Sequence, residues 1–309
     1  NKFHSTFIDS IQRYVHKGRI HSEINQLRSD QGGTVSGRLS YSNPNLQQIP
    51  ARNKEYGNKI RSLFLPEEGR QWGSFDYSQQ EPRLVAHYAA STNEEFTGAG
   101  EFINSYQNDE ADFHQIVADM AGISRTNAKT INLGLFYGMG KAKLARELGI
   151  SKDAAENLLS KYHNKVPFVK RLAESVMNSA SKFGFIRTVK GRKCRFDMWE
   201  PATFGMNKAM KYEEAKAVYG NNIRRAYTYK ALNRLIQGSA ADQTKQAMIN
   251  CYKKGFQPIL QIHDELCFSI NEENDIIGIK KEMENAIEGL KVPFKTDVAL
   301  GSSWGNAKE

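Results

Sequence analysis

Cysteine is scarce in this chain. Cys194, Cys251 and Cys267 are the only three in 309 residues; they lie far apart, and none has a neighbour of metal-ligating type. An odd, sparse count excludes a disulfide-stapled scaffold and reads as reduced thiols in a cytosol-like compartment. Long apolar runs are missing as well: none approaches the ~18 residues needed to cross a bilayer. The opening "NKFHSTFIDSIQRY" lacks the apolar core of a secretory signal. It also begins at Asn1 rather than Met, which suits a fragment or a processed product. No internal repeat or low-complexity segment is visible. Acid is the scarcer charge, 34 Asp and Glu against 43 Lys and Arg. The resulting net charge of +9 favours a polyanionic partner, nucleic acid or a membrane surface.

What is present is enough apolar residue for a substantial core, 39% of the chain, over more than one typical domain length. Phe7, Ile8, Ile11, Tyr14 and Val15 predict a short amphipathic helix over residues 5–17. The Gly-, Ser-, Asn- and Pro-rich residues 31–50 predict an extended loop. "KIRSLFLPEEG" predicts a strand and turn, and "QWGSFDYS" a strand ending at Asp76. From about 110 to 180 the pattern is helical, with Ser124 as the N-cap of "RTNAKTINLGLFYG". A hairpin turning at Lys190-Gly191 follows, then a long helix stopping at Gly255, two short strands meeting at His263-Asp264-Glu265, and a terminal strand in "KVPFKTDVALGSSWG". Strands and helices mix without βαβ alternation, so the expected class is α+β around an antiparallel sheet.

Asp76 at a strand tip and Asp264 at a turn between strands are two rigidly held carboxylates. On neighbouring strands they would form a hard oxygen site for a divalent cation such as Mg²⁺. Either aspartate alone reads more readily as a turn cap. A third segment adds weight: Arg125, Lys129, Leu133 and Tyr137 recur every four residues, a slowly drifting stripe on one helix face. Two cations, an apolar group and an aromatic suit a nucleoside triphosphate, although a solvated basic edge has the same pattern. His114 on the preceding helix is a further candidate phosphate contact. Arg38, Asn45, Gln47 and Arg52, with Asn233 and Gln237 on one face of the long helix, suit a nucleic-acid backbone or minor groove.

These segments also carry a resemblance. "TVSGRLSYSNPNLQQIP", "DYSQQEPR", "RTNAKTINLGLFYG", "NRLIQGSAAD" and "QIHDELCFSI" occur in the order seen in family A DNA polymerases, the DNA polymerase I type, and look most like bacteriophage members. The resemblance implies a right-hand polymerase fold with an antiparallel palm sheet, helical fingers and most of the thumb missing. It divides the chain into a thumb remnant and link (1–30), palm (31–91), fingers (92–228) and palm again (229–309).

It further implies that Asp76, Asp264 and the Tyr77 carbonyl hold two Mg²⁺ ions, replaceable by Mn²⁺, with Glu265 as an accessory acid. Arg125 and Lys129 would grip the triphosphate, Lys129 also protonating the leaving pyrophosphate. Tyr137, Leu133, His114 and Gln79 would line the nucleotide site, and Glu81 would exclude a ribose 2′-hydroxyl. Arg38, Asn45, Gln47, Arg52, Asn233, Gln237 and His263 would line the DNA.

Leu133 stands where the family usually has an aromatic residue, which implies discrimination against dideoxynucleotides. Tyr229 stands where bacterial members often have Arg. The implied partners are primer–template DNA, dNTPs, and a separate thumb or exonuclease polypeptide or a processivity factor, with no membrane. The expected location is the cytoplasm, of a bacterial host if the chain is phage-encoded. Two other readings remain at this point: a single-subunit RNA polymerase, against which Glu81 argues, and a DNA-binding subunit inactive without a missing half.

Overall fold

The computed structural model describes residues 4–29, 32–50, 54–92, 99–108, 112–136, 139–203 and 208–308. The chain forms two compact units. Unit 1 comprises residues 1–80, 240–289 and 294–309, and unit 2 comprises residues 81–239 and 290–293.

Unit 1 opens with a wide helical turn, His4–Asp9, continued by α1, Ser10–Gln12. The hairpins β1 (Val15–His16) with β2 (Arg19–Ile20) and β3 (Glu23–Asn25) with β4 (Ser40–Ser42) follow, then α2 (Lys54–Arg61) and β5 (Gln71–Tyr77). The helix expected over 5–17 therefore ends at Gln12. Lys17 and Gly18, at φ of 51° and 74°, turn the chain back, and Tyr14 and Val15 are exposed. The strand expected in "KIRSLFLPEEG" is also absent. Its first residues finish α2, and Leu63 and Leu65 are 70% and 67% exposed, so their apolar character does not mark a buried strand.

Unit 2 is mostly helical: α3 (Gln80–Ala90, whose first residue belongs to unit 1), α4 (Ala99–Gln107), α5 (Phe113–Ala121), α6 (Arg125–Phe136), α7 (Lys141–Leu148), α8 (Lys152–Lys165) and α9 (Pro167–Phe183). Two hairpins follow, β6 (Phe185–Arg187) with β7 (Lys193–Arg195) and β8 (Trp199–Pro201) with β9 (Ile223–Arg225), enclosing α10 (Tyr212–Tyr219). Phe102 anchors the core, with Tyr106, Phe113 and Phe168 at ring-centroid distances of 5.1, 4.6 and 5.0 Å. Arg83, 3% exposed, lies over the Tyr106 ring and donates from Nη1 to the Pro293 carbonyl at 2.7 Å.

The long helix α11 (Ala231–Lys253) carries the unit boundary at 239/240. It leads to β10 (Leu260–Ile262), β11 (Glu265–Ile270), α12 (Glu273–Glu284) and β12 (Thr296–Gly301). Strands β10-β11-β5-β12 make one antiparallel sheet, as the α+β expectation required. β5 is a central strand, which explains its nearly unbroken burial, Trp72 through Phe75, instead of simple alternation. Phe75 meets Phe268 edge-on at 5.4 Å, and Trp72 stacks on Trp304 at 6.1 Å. Gly73 sits in this strand because a Cβ there would come within 2.6 Å of Ile270.

Candidate active site

Unit 1 brings the two sequence-predicted acids together. Residues 262 and 265 pair across the β10–β11 hairpin, leaving His263 and Asp264 as its two-residue turn. Glu265 is the cross-strand partner of Asp76, and the Tyr77 amide donates to the Asp264 carbonyl at 3.3 Å. The tip of β5 is thus fastened directly to the turn that carries the second aspartate. On the opposite side Asp76 pairs in register with Asp297 of β12.

Each acid is followed or preceded by a residue in the left-handed region that non-glycine residues rarely occupy: Gln79 at φ 52° and His263 at φ 56°. Gln261 secures the second. It is 4% exposed, donates from Nε2 to the His263 carbonyl at 2.7 Å, and receives Gln47 Nε2 on its Oε1 at 3.3 Å. Gln47, expected to face DNA, therefore spends a donor on Gln261, which holds the turn carrying Asp264. Neither Gln261 nor Gln80 was singled out in the sequence. Gln80 is 2% exposed, and its amide faces Gln243 Oε1 at 3.1 Å and Thr244 Oγ1 at 3.2 Å, fixing the start of α3 against α11 within unit 1. A glutamine amid apolar strand residues is the one sequence signal for Gln261. Gln80 had none beyond its place beside Glu81.

Burial raises the Asp264 carboxyl above the ordinary range; Arg38 and His263 pull it back, and Glu265 adds to the rise. Glu265 is 7% exposed and accepts from the Cys267 thiol at 3.4 Å. Tyr77 is buried, its hydroxyl donating to the Met283 carbonyl at 2.6 Å, and burial raises its phenol far above normal. Asn45 caps the turn Leu46–Gln48, accepting from the Gln47 amide at 3.1 Å. Arg52 lies outside the described residues. Among the described residues no group of three His, Cys, Asp or Glu is gathered into a metal-ligating cluster. The fit to a hard cation rests on two carboxylates and a backbone carbonyl. Mg²⁺ needs few protein oxygens, taking the rest from water and phosphate. The burial that raises Asp264 is a penalty a cation would relieve.

Unit 2 carries the basic helix. Ser124 caps α6, accepting from the Asn127 amide at 3.2 Å as expected. Arg125 and Lys129 stand one turn apart and both are exposed. Arg125 Nε donates to Asp112 Oδ2 at 2.7 Å. Asp112 is also the N-cap of α5, accepting from the His114 and Gln115 amides. Burial works to raise the Asp112 carboxyl, but Arg125 and the two amides leave it below the usual range.

His114 is 7% exposed, and its Nδ1 lies 3.1 Å from the Asn132 amide nitrogen. Burial lowers its pKa to about 4, so the ring is neutral at pH 7. Leu133 lies on α6, and Tyr137 is outside the described residues. Glu81 occupies the first turn of α3, with Pro82 next to it where no helical N–H is lost. Asn233 and Gln237 are half-buried on one face of α11.

The family described as DNA polymerase family A matches residues 1–306. The chain belongs to that family. A DNA-directed DNA polymerase of Pseudomonas phage M6 is 37% identical over 99% of this chain and 50% of its own length. The thermostable DNA polymerase I of Thermus aquaticus is 31% identical over 100% of the chain and 35% of its length. Among solved structures, the POL domain of Pol1 from M. smegmatis, in complex with DNA primer-template and dNTP, matches with a TM-score of 0.78 at 32% identity. That match covers 97% of this chain and 51% of that one. The chain thus spans about half or less of the length of these proteins. No helix among the described residues is long and apolar enough to cross a membrane.

Proposed function

We propose that this chain is the nucleotidyl-transfer portion of a DNA-templated DNA polymerase, extending a primer 3′ end with dNTPs and releasing pyrophosphate. The observation that carries the reading is that Asp76 and Asp264 stand at one end of the same sheet, Asp76 opposite Glu265 and the Tyr77 amide bonded to the Asp264 carbonyl. Family membership and the DNA- and dNTP-bound relative support it. Two magnesium ions, or manganese in their place, held by Asp76, Asp264 and the Tyr77 carbonyl, would acidify the primer hydroxyl and neutralise charge on the phosphates. Asp76 at the end of β5 and Asp264 in the β10–β11 turn would hold that centre, with the buried Glu265 supporting it.

Arg125 takes the triphosphate oxygens with its planar fork. Lys129 supplies a second cation and a proton to the departing pyrophosphate. His114, being neutral, serves as a hydrogen-bonding group and not as a charge. Glu81 and Gln79 bound the sugar, Glu81 crowding a 2′-hydroxyl, while Leu133 offers no hydrogen bond to replace a missing 3′-hydroxyl. Tyr137 stacks at the insertion position. Arg38, Asn45, Gln47, Arg52, Asn233, Gln237 and His263 contact the primer–template. The deciding measurement is primer extension with Mg²⁺ by the wild type and by Asp264→Ala. The variant is expected to lose at least a thousandfold in rate. Equal extension would overturn the assignment.

A further inference from the structure

The positive charge is concentrated in one segment. Residues 182–234 hold thirteen Lys and Arg against four Asp and Glu, a net of +9 that equals the charge of the whole chain. From Ser175 to Phe196 there is no acid at all. Eight cation–ring contacts fall in that same segment among the described residues. Three more lie elsewhere among the described residues.

The β6–β7 hairpin explains how part of this charge is displayed. Its register pairs Phe185 with Arg195, Ile186 with Cys194 and Arg187 with Lys193. Ile186 and Cys194 point inward, into a core with Ala180, Phe196, Ala231 and Leu235. Alternation sends the other four outward. Arg187 and Lys193 both lean over the Phe185 ring, at 5.3 and 4.7 Å. An open groove of about 440 Å³ runs along α9, with Arg171, Asn178, Lys182 and Phe183 in its wall. Glu174, the one acid there, lies 4.0 Å from Lys170. Phe183 is 58% exposed, with Lys182 Nζ 5.3 Å from its ring. A large apolar ring left in water among cations has no folding role to account for it.

We propose that the Lys182–Phe183 end of α9 and the outer face of the β6–β7 hairpin that follows it form a single-stranded DNA track. Phe183 is its base-stacking platform, and Lys182, Arg187, Lys193 and Arg195 are its phosphate contacts. Single strands fit better than duplex because their bases are free to stack on an isolated ring, while the cations follow the backbone. A two-stranded ribbon with one cationic face is wide enough for one backbone. The track is additional to the groups assigned to nucleotidyl transfer and requires none of them.

The test is fluorescence anisotropy of a short labelled oligothymidylate, with excess unlabelled blunt duplex filling other DNA-binding surfaces. Phe183→Ala is expected to weaken oligothymidylate binding about tenfold without changing its salt dependence, and to leave binding of labelled blunt duplex unchanged. Arg187→Ala combined with Lys193→Ala should lower affinity and reduce the slope of log K against log salt by about 1.4. All three side chains are exposed or surface-facing, so the fold should survive. Wild-type affinity and slope in both variants would overturn the track. So would an equal loss on duplex for Phe183→Ala, which would mark a general basic surface. Neither outcome depends on whether Asp264→Ala abolishes extension.

Discussion

Arg125 has an anionic partner within the fold. Its bond to Asp112 uses the Nε–H of the guanidinium that the proposed function assigns to the triphosphate, so the two anions compete for one cation. An exposed ion pair of this kind is worth about 0.2–1 kcal/mol. Asp112→Asn keeps an acceptor for the α5 cap and removes the charge. It is expected to lower the KM for dNTP by about two- to fivefold with kcat unchanged, read by steady-state single-nucleotide insertion. A raised KM would mean that Asp112 orients Arg125 for the substrate instead of competing with it.

His114 makes a prediction about stability. Its pKa is about 4 in the folded chain against 6.5 ordinarily, chiefly through burial; Lys129 and Arg125 add to the lowering and Asp112 opposes it. The unfolded chain therefore binds the proton first. The stability is fully present above pH 6.5 and is lost as pH falls to about 4, by roughly 3 kcal/mol. Urea midpoints for the wild type should fall over that window more steeply than those of His114→Gln. Parallel curves would show that burial does not hold the ring neutral.

At the scale of elements, the hairpin carrying Asp264 depends on a side chain the sequence did not advertise. Gln261 fixes the carbonyl of a left-handed residue, and Gln47 fixes Gln261. Gln261→Leu keeps the volume and removes both bonds. We expect kcat for nucleotide insertion to fall about tenfold through misplacement of Asp264, the dNTP KM to stay within about twofold, and stability to drop by about 1–2 kcal/mol. An unchanged kcat would show that the hairpin register alone positions Asp264.

Elements governed by local chemistry were legible in the sequence: β5 from its bounded apolar run, α6 from Ser124, and the β6–β7 hairpin from Lys190-Gly191. Local apolarity misled where no partner covers it. Leu63 and Leu65 read as strand yet face water, and Tyr14 and Val15 read as a helix face, yet Tyr14 is an exposed turn residue and Val15 opens a hairpin set by Lys17-Gly18. The acids were legible because their strands end in turns. The glutamines beneath them were not, because a buried amide is identified by its partners, which lie far away in sequence.

At the scale of the whole molecule, unit 1 is assembled from three separate stretches of chain. β5 is flanked by β11 and β12, both arriving about two hundred residues later, and no local pattern announces that order. β12 pairs with β5 along six consecutive positions, from Thr296–Tyr77 to Gly301–Trp72. Just beyond it comes Trp304, fully buried, stacked on Trp72 and capped by the Arg61 guanidinium at 4.7 Å. Deleting residues 296–309 would leave β5 an open edge and strip the largest side chain from the core beneath the acids. Loss of one buried Trp alone costs about 3–5 kcal/mol, and the whole chain has only about 5–15 kcal/mol of stability to lose. The truncated chain should therefore show no cooperative thermal transition by circular dichroism and no primer extension, although every proposed catalytic residue remains. Trp304→Phe, which keeps an apolar ring, should retain a transition at lower temperature. A sharp transition in the truncated chain would show that the Asp76 strand is held by β11 alone, and the three-stretch account of unit 1 would fail.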